Sequence, residues 1–150
     1  MTVFTYNYGL DDAERIGAAI GGALLPGDVV ALSGDLGVGK TTLARAMLKA
    51  RGLLGEAPSP TFAIVQPYAP PEVDLAVAHV DLYRIEGKDE LIELGLDDYL
   101  YEGALLIEWP ERLGEGGWPE TLRLAISGDG DARVLTASVP PAWGARWPLR

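Results

Sequence analysis

The chain has 150 residues, 48% of them hydrophobic, with a net charge of −10 and no cysteine. That length fits one domain burying on the order of 70% of its unfolded surface, and the missing cysteines exclude a disulfide framework and a thiolate metal site. No run of about 18 apolar residues is present to span a membrane, and twelve scattered Lys and Arg against 22 acids leave little with which to neutralise a nucleic-acid backbone.

The N-terminus, MTVFTYNYGLDD, has neither a basic head nor a long apolar core, so the expectation is a cytoplasmic protein. Residues Val3–Tyr6 alternate as a short edge strand. Helix follows from Asp11 or Asp12 as N-cap, with Ile16, Ile20 and Ala23 on one face and glycines that leave its stability to tertiary packing. "GDVVALSG" (27–34) is a strand buried on both sides, and Lys40–Ala50 a helix with Leu43, Met47 and Ala50 facing inward, stopped by Gly52. The prolines of "GEAPSPTF" (55–62) make a loop, followed by a strand at Phe62–Val65 and a second loop, "YAPPEVDLA" (68–76). "VAHVDLYR" (77–84) holds a buried strand, Asp89–Leu94 a short helix ended by Gly95, and "ALLIEW" (104–109) a third apolar strand ending at an acid. Thr121–Ser127 and Val134–Ser138 suggest a hairpin with a longer turn, "GDGDAR". The tail "PPAWGARWPLR" (140–150) has no usable pattern and is expected to be flexible or a docking segment. Strands alternating with helices predict a single α/β domain with a largely parallel central sheet and antiparallel edge strands.

Residues 34–41, Gly-Asp-Leu-Gly-Val-Gly-Lys-Thr, fit the phosphate-loop pattern G-x-x-x-x-G-K-[ST], with a buried-type strand before it and an amphipathic helix after it. Glycines let the backbone curl so that successive N–H groups face phosphate oxygens, and the helix N-terminus adds its dipole. Lys40 is placed to reach the outer phosphates and Thr41 to ligate magnesium. Magnesium also takes a carboxylate from the end of a neighbouring strand; Asp81 and Glu108 both end apolar runs, and spacing does not choose between them. The only asparagine, Asn7, precedes the loop, so the Asn-Lys-x-Asp guanine element is absent, as are an Asp-x-x-Gly segment and a clustered-arginine lid. GTPase and, less firmly, small-molecule kinase are disfavoured.

Taken together and in order, "GDLGVGKTTL", "SPTF", "HVDLYR" and "IEWPER" resemble the bacterial TsaE family, also called YjeE, P-loop ATPases needed for N6-threonylcarbamoyladenosine beside the anticodon of certain tRNAs. The likeness runs from about Asp11 to about Arg112. It implies a P-loop NTPase-type three-layer fold. By that resemblance Asp35, Leu36, Gly37, Val38, Gly39, Lys40, Thr41 and Thr42 bind ATP or ADP, Thr41 and Glu108 hold Mg2+, and Asp81 becomes the acid supporting hydrolysis. Ser59 and Thr61 form a switch-like loop over the γ-phosphate. Trp109, Arg112 and Arg84 are supporting residues near the phosphates or a partner, and Arg133 is a candidate for the base side of the nucleotide. His79, in an apolar strand, is read as a core or supporting histidine rather than a catalytic one. The implied partners are TsaD and TsaB, with tRNA reached only through them and no membrane involved. The resulting reading is a slow ATPase regulating a partner complex; the alternatives are a small-molecule kinase and a nucleotide-sensing module without turnover.

Overall fold

The computed structural model of the chain describes residues 1–55, 57–58, 60, 64–114 and 117–149. Seven strands form one sheet: β1 (Thr2–Gly9), β2 (Val29–Ser33), β3 (Val65–Tyr68), β4 (Ala76–Asp81), β5 (Gly103–Glu108), β6 (Leu122–Asp129) and β7 (Ala132–Val139). Their order across the sheet is β1-β7-β6-β2-β5-β4-β3. β4, β5, β2 and β6 run parallel, whereas β7, β1 and β3 are antiparallel to their neighbours. Among the described residues the helices are α1 (Ala13–Gly22), α2 (Lys40–Ala50), α3 (Lys88–Glu93) and α4 (Pro141–Gly144), with short 3-10 turns at Leu10–Asp12, Leu96–Leu100 and Pro110–Leu113. Among the described residues no helix is long and apolar enough to cross a membrane.

Two apolar layers sandwich the central strands. Ile16 and Ile20 of α1 and Leu43 and Met47 of α2 pack with Val30, Leu32, Leu106, Leu122 and Leu135 on one face; Val29, Val80, Leu105 and Ile107 meet Leu82, Ile85 and Leu96 on the other. The glycines of α1 have a packing reason. A Cβ at Gly17 would lie 2.5 Å from the Ala46 Cβ, and one at Gly21 would lie 2.6 Å from the Met47 Cα, so α1 and α2 approach at backbone distance.

Several expectations need correction. The first strand is longer than Val3–Tyr6, because its ladder with β7 continues to Gly9↔Ala132. Asp12 occupies the N-cap of α1 without a side-chain capping bond, since a 3-10 turn already leads into the helix. Ala50 is exposed; the inward face of α2 is Leu43, Ala44, Met47 and Leu48. Of the strand expected at 62–65, residues 62 and 63 lie outside the described residues; the described strand is Val65–Tyr68, which runs through Pro67, a residue tolerated there because β3 is an edge strand. The hairpin turn is two residues, Gly130 and Asp131, as pairing carries Asp129 and Ala132 into the ladder.

The tail expected to be flexible or docking is, through residue 149, tied to the body. Trp143 is fully buried and Trp147 nearly so. Arg146 donates through Nη1 and Nη2 to both carboxylate oxygens of Asp28 at 2.7 Å and through Nη1 to the Ala23 carbonyl at 2.6 Å. Its guanidinium also lies over the Trp143 ring, 4.0 Å from the centroid.

Candidate functional site

Parallel strands bring their carboxyl ends to one edge of the sheet, where ligands of such folds bind. Here that edge holds the loop after β2 and the last residues of β4 and β5. Asp81 and Glu108 are direct partners in the β4–β5 register, so their side chains share the face covered by α2, and both are buried. His79, two residues before Asp81, lies on that same face.

The loop closes over them. Gly34 has φ 143, and a Cβ there would meet the Ile126 carbonyl oxygen at 2.4 Å, so the chain leaves β2 pressed against β6 in a manner that only glycine permits. Gly39 caps α2 in the left-handed region, and the helix opens with Lys40 and Thr41. Lys40 Nζ donates to the carbonyls of Gly34 at 2.6 Å and Asp35 at 3.0 Å. It also lies 4.2 Å from the centroid of the Trp109 ring. Burial pushes the Lys40 ammonium below the usual lysine range, against the opposing pull of Glu108, Glu111, Asp81 and Asp35.

The Thr41 hydroxyl donates to Glu108, with Oε1 at 2.9 Å and Oε2 at 3.0 Å. On its other side Glu108 Oε2 meets His79 Nε2 at 2.7 Å inside the core. His79 is thus joined to Glu108 within the core rather than standing alone there. Asp81 Oδ1 accepts the backbone N–H of Tyr83 at 2.9 Å, which ends β4 in a tight side-chain turn. Trp109 takes a left-handed backbone, φ 59, which costs a non-glycine residue on the order of 1 kcal/mol. That turn directs its indole over Lys40 and against the Tyr83 ring, 4.9 Å away. The resulting cleft, about 190 Å³, is lined by Leu36, Gly37, Gly39, Lys40, Thr41, Thr42, Asp81, Glu108 and Trp109. Two larger cavities, about 410 and 690 Å³, both lined by Trp118 and Leu113, contain none of the loop residues.

Other predicted residues stand elsewhere. Arg133 does not line the cleft; its Nε donates to the Val38 carbonyl at 2.8 Å, bracing the loop from β7. Arg112 is exposed, with no side-chain bond to the described residues, and Arg84 is exposed just beyond β4. Ser59 and Thr61 lie outside the described residues. Sequence reasoning did not pair Tyr83 with Trp109 or Lys40 with the indole, because the left-handed turn at residue 109 leaves no compositional trace.

The donor set fits a magnesium nucleotide. A buried ammonium beside a glycine-rich helix N-terminus suits phosphate, and a threonine oxygen adjoining a carboxylate suits a hard cation. Fold and loop together define a P-loop-type α/β protein. A family model described as "Threonylcarbamoyl adenosine biosynthesis protein TsaE" matches residues 9–135, and the chain belongs to that family. Proteins named "tRNA threonylcarbamoyladenosine biosynthesis protein TsaE" are similar to it. The one from Streptomyces coelicolor is 37% identical over 89% of this chain and 93% of its own length. The one from Mycobacterium tuberculosis is 35% identical over 90% and 83%. The Bacillus subtilis protein is 40% identical over 71% of this chain, which spans 65% of that relative. Among solved structures, Bacillus subtilis YdiB superposes with a TM-score of 0.75 at 27% identity, covering 97% of this chain and 93% of that one.

Proposed function

We propose that the chain binds ATP with magnesium and hydrolyses it slowly, and that this cycle supports the TsaD–TsaB pair that makes N6-threonylcarbamoyladenosine on tRNA. The observation that carries the reading is the joining of Thr41, Glu108 and Lys40 within hydrogen-bond reach of one loop, with Asp81 in register beside Glu108. In this reading the N–H groups of residues 35–42 and Lys40 hold phosphate oxygens. Thr41 and Glu108 hold the cation. Asp81 is the acid that orients or accepts from a water, and His79 fixes Glu108. Bound Mg-ATP would supply the electrophilic phosphorus and the charge that neutralises its leaving group.

Lys40 is the only cationic side chain lining the cleft among the described residues. Phosphoryl transfer depends largely on charge stabilisation, and an added arginine is worth about 10³–10⁵ in rate. A site with a single lysine is therefore slow until a partner completes it.

The test is phosphate release from Mg-ATP by the purified chain, alone and with the TsaD–TsaB pair. Slow release that rises with the pair and is lost in Lys40→Ala and Glu108→Ala supports the reading. Phosphate appearing on an added metabolite instead would make the chain a kinase. Undiminished partner support by Glu108→Ala, with no turnover in either chain, would make it a nucleotide-sensing module.

A further inference from the structure

Each of the two acids at the sheet edge is followed within two residues by an aromatic, in Asp81-Leu82-Tyr83 and Glu108-Trp109. Short bonds tie the two strand exits together. The Leu82 N–H donates to the Glu108 carbonyl at 3.1 Å, and the Tyr83 N–H donates to Asp81 Oδ1 at 2.9 Å. They set the Tyr83 ring against that of Trp109, with centroids 4.9 Å apart and planes tilted by 50°, an arrangement that aromatic pairs favour. Tyr83 is 43% exposed and stands outside the residues that line the cleft, so its influence on the site passes through its neighbour.

Trp109 is held where its own backbone is not at ease. Its φ of 59 and ψ of 52 lie in the left-handed region, which penalises a residue with a Cβ. Pro110 follows, and a residue before proline is driven toward extended backbone. Both preferences favour a turn that aims the indole elsewhere, so its contacts must outweigh them. The indole rests partly on the second apolar layer. Above the loop it meets the Tyr83 ring and the Lys40 ammonium, the latter 4.2 Å from its centroid.

Lys40 is confined by that arrangement. Two of its N–H groups go to the carbonyls of Gly34 and Asp35, the indole covers it, and the residue is only 4% exposed. An ammonium so placed has little further freedom to lose when an anion arrives, and preorganised groups bind more tightly than groups that must first be ordered. We propose that Tyr83 is a positioning residue: its ring keeps Trp109 in the left-handed turn, and the indole in turn keeps Lys40 confined at the loop, ready for an anion. The consequence for nucleotide rests on the reading that Lys40 holds phosphate oxygens. Without the tyrosine ring the backbone preferences win, the indole leaves the lysine and the ammonium becomes mobile.

Two measurements on the full chain test this. The first needs no nucleotide. Protons over an aromatic face resonate upfield, so the ε-methylene signal of Lys40 should lie upfield of those of Lys49 and Lys88, the other two lysines. Tyr83→Phe should keep that shift and Tyr83→Ala should lose most of it, with Lys40→Arg identifying the signal. The second is Mg-ATP affinity by titration calorimetry. It should fall about fivefold in Tyr83→Ala and hold in Tyr83→Phe. Adding Tyr83→Ala to Trp109→Leu, whose indole is already gone, should change it no further. If Tyr83→Ala fails to fold by circular dichroism, Tyr83→Leu takes its place. A Lys40 signal unshifted in the natural chain, or unmoved in Tyr83→Ala, overturns the proposal. So does an affinity that rises or holds in Tyr83→Ala, or an effect that persists in full beside Trp109→Leu. The expected lysine signals in a natural chain that binds no Mg-ATP would keep the positioning and overturn the nucleotide reading instead.

Discussion

The half of the sheet made by β2, β5 and β4 and the half made by β6, β7 and β1 do different work. The first is parallel and buried on both faces, and its strands deliver Ser33, Glu108 and Asp81 to a single edge. The second is mostly antiparallel, leaves one face to solvent, and contributes no side chain to the cleft. Chemistry therefore collects where chain direction stacks strand ends together. The other half braces: β6 presses on Gly34, Arg133 holds the Val38 carbonyl, and the tail closes over the core end of β1.

That division can be broken at its bracing side. Trp143→Ala empties a fully buried site remote from the cleft and should cost about 3–5 kcal/mol of stability. Denaturant unfolding gives this directly, while nucleotide affinity measured well below the transition should hold; a large loss of affinity in the folded variant would merge the two halves functionally.

Arg133→Met is the finer probe. It removes one hydrogen bond to the loop carbonyl, worth about 1 kcal/mol, so nucleotide affinity read by titration calorimetry should fall roughly fivefold. An unchanged affinity would show that the loop holds its shape without β7.

The smallest effect lies on the far edge. The Tyr68 hydroxyl is buried with no hydrogen-bond partner among the described residues, and burial pushes its pKa up, with Glu72 adding and Arg45 opposing. Tyr68→Phe should be neutral or stabilising by up to about 1 kcal/mol near pH 7. The unfolded phenol ionises near pH 10 and the folded one resists, so its contribution is intact below about pH 10 and is lost as pH rises further. The natural chain should accordingly lose more stability than the variant between about pH 9 and 11, by thermal melts across that range; parallel curves would contradict the assigned cause.

The phosphate loop and the parallel strands were legible in sequence because glycine spacing and continuous apolar runs reflect local requirements. Glu108 and Asp81 stood out as acids ending such runs, but spacing did not choose between them; the resemblance set Thr41 with Glu108, and the structure has the Thr41 hydroxyl donating to Glu108, with Asp81 beside it in register. What was missed shares a cause. Asp129 reads into the turn, yet the ladder carries it as the partner of Ala132, and β3 runs on through Pro67 because it is an edge strand. Trp143 and Trp147 have no periodic neighbours to mark them; their burial follows from where the chain ends up in space.

The contact of α1 with α2 constrains heredity more than catalysis. Gly17 and Gly21 bear no chemistry and sit far along the chain from the loop, yet they set the depth at which the helix beginning with Lys40 and Thr41 rests. A single added methyl at either would have to lift that helix or unseat its partner. The positions an evolving lineage can least afford to vary thus include two that no ligand ever touches.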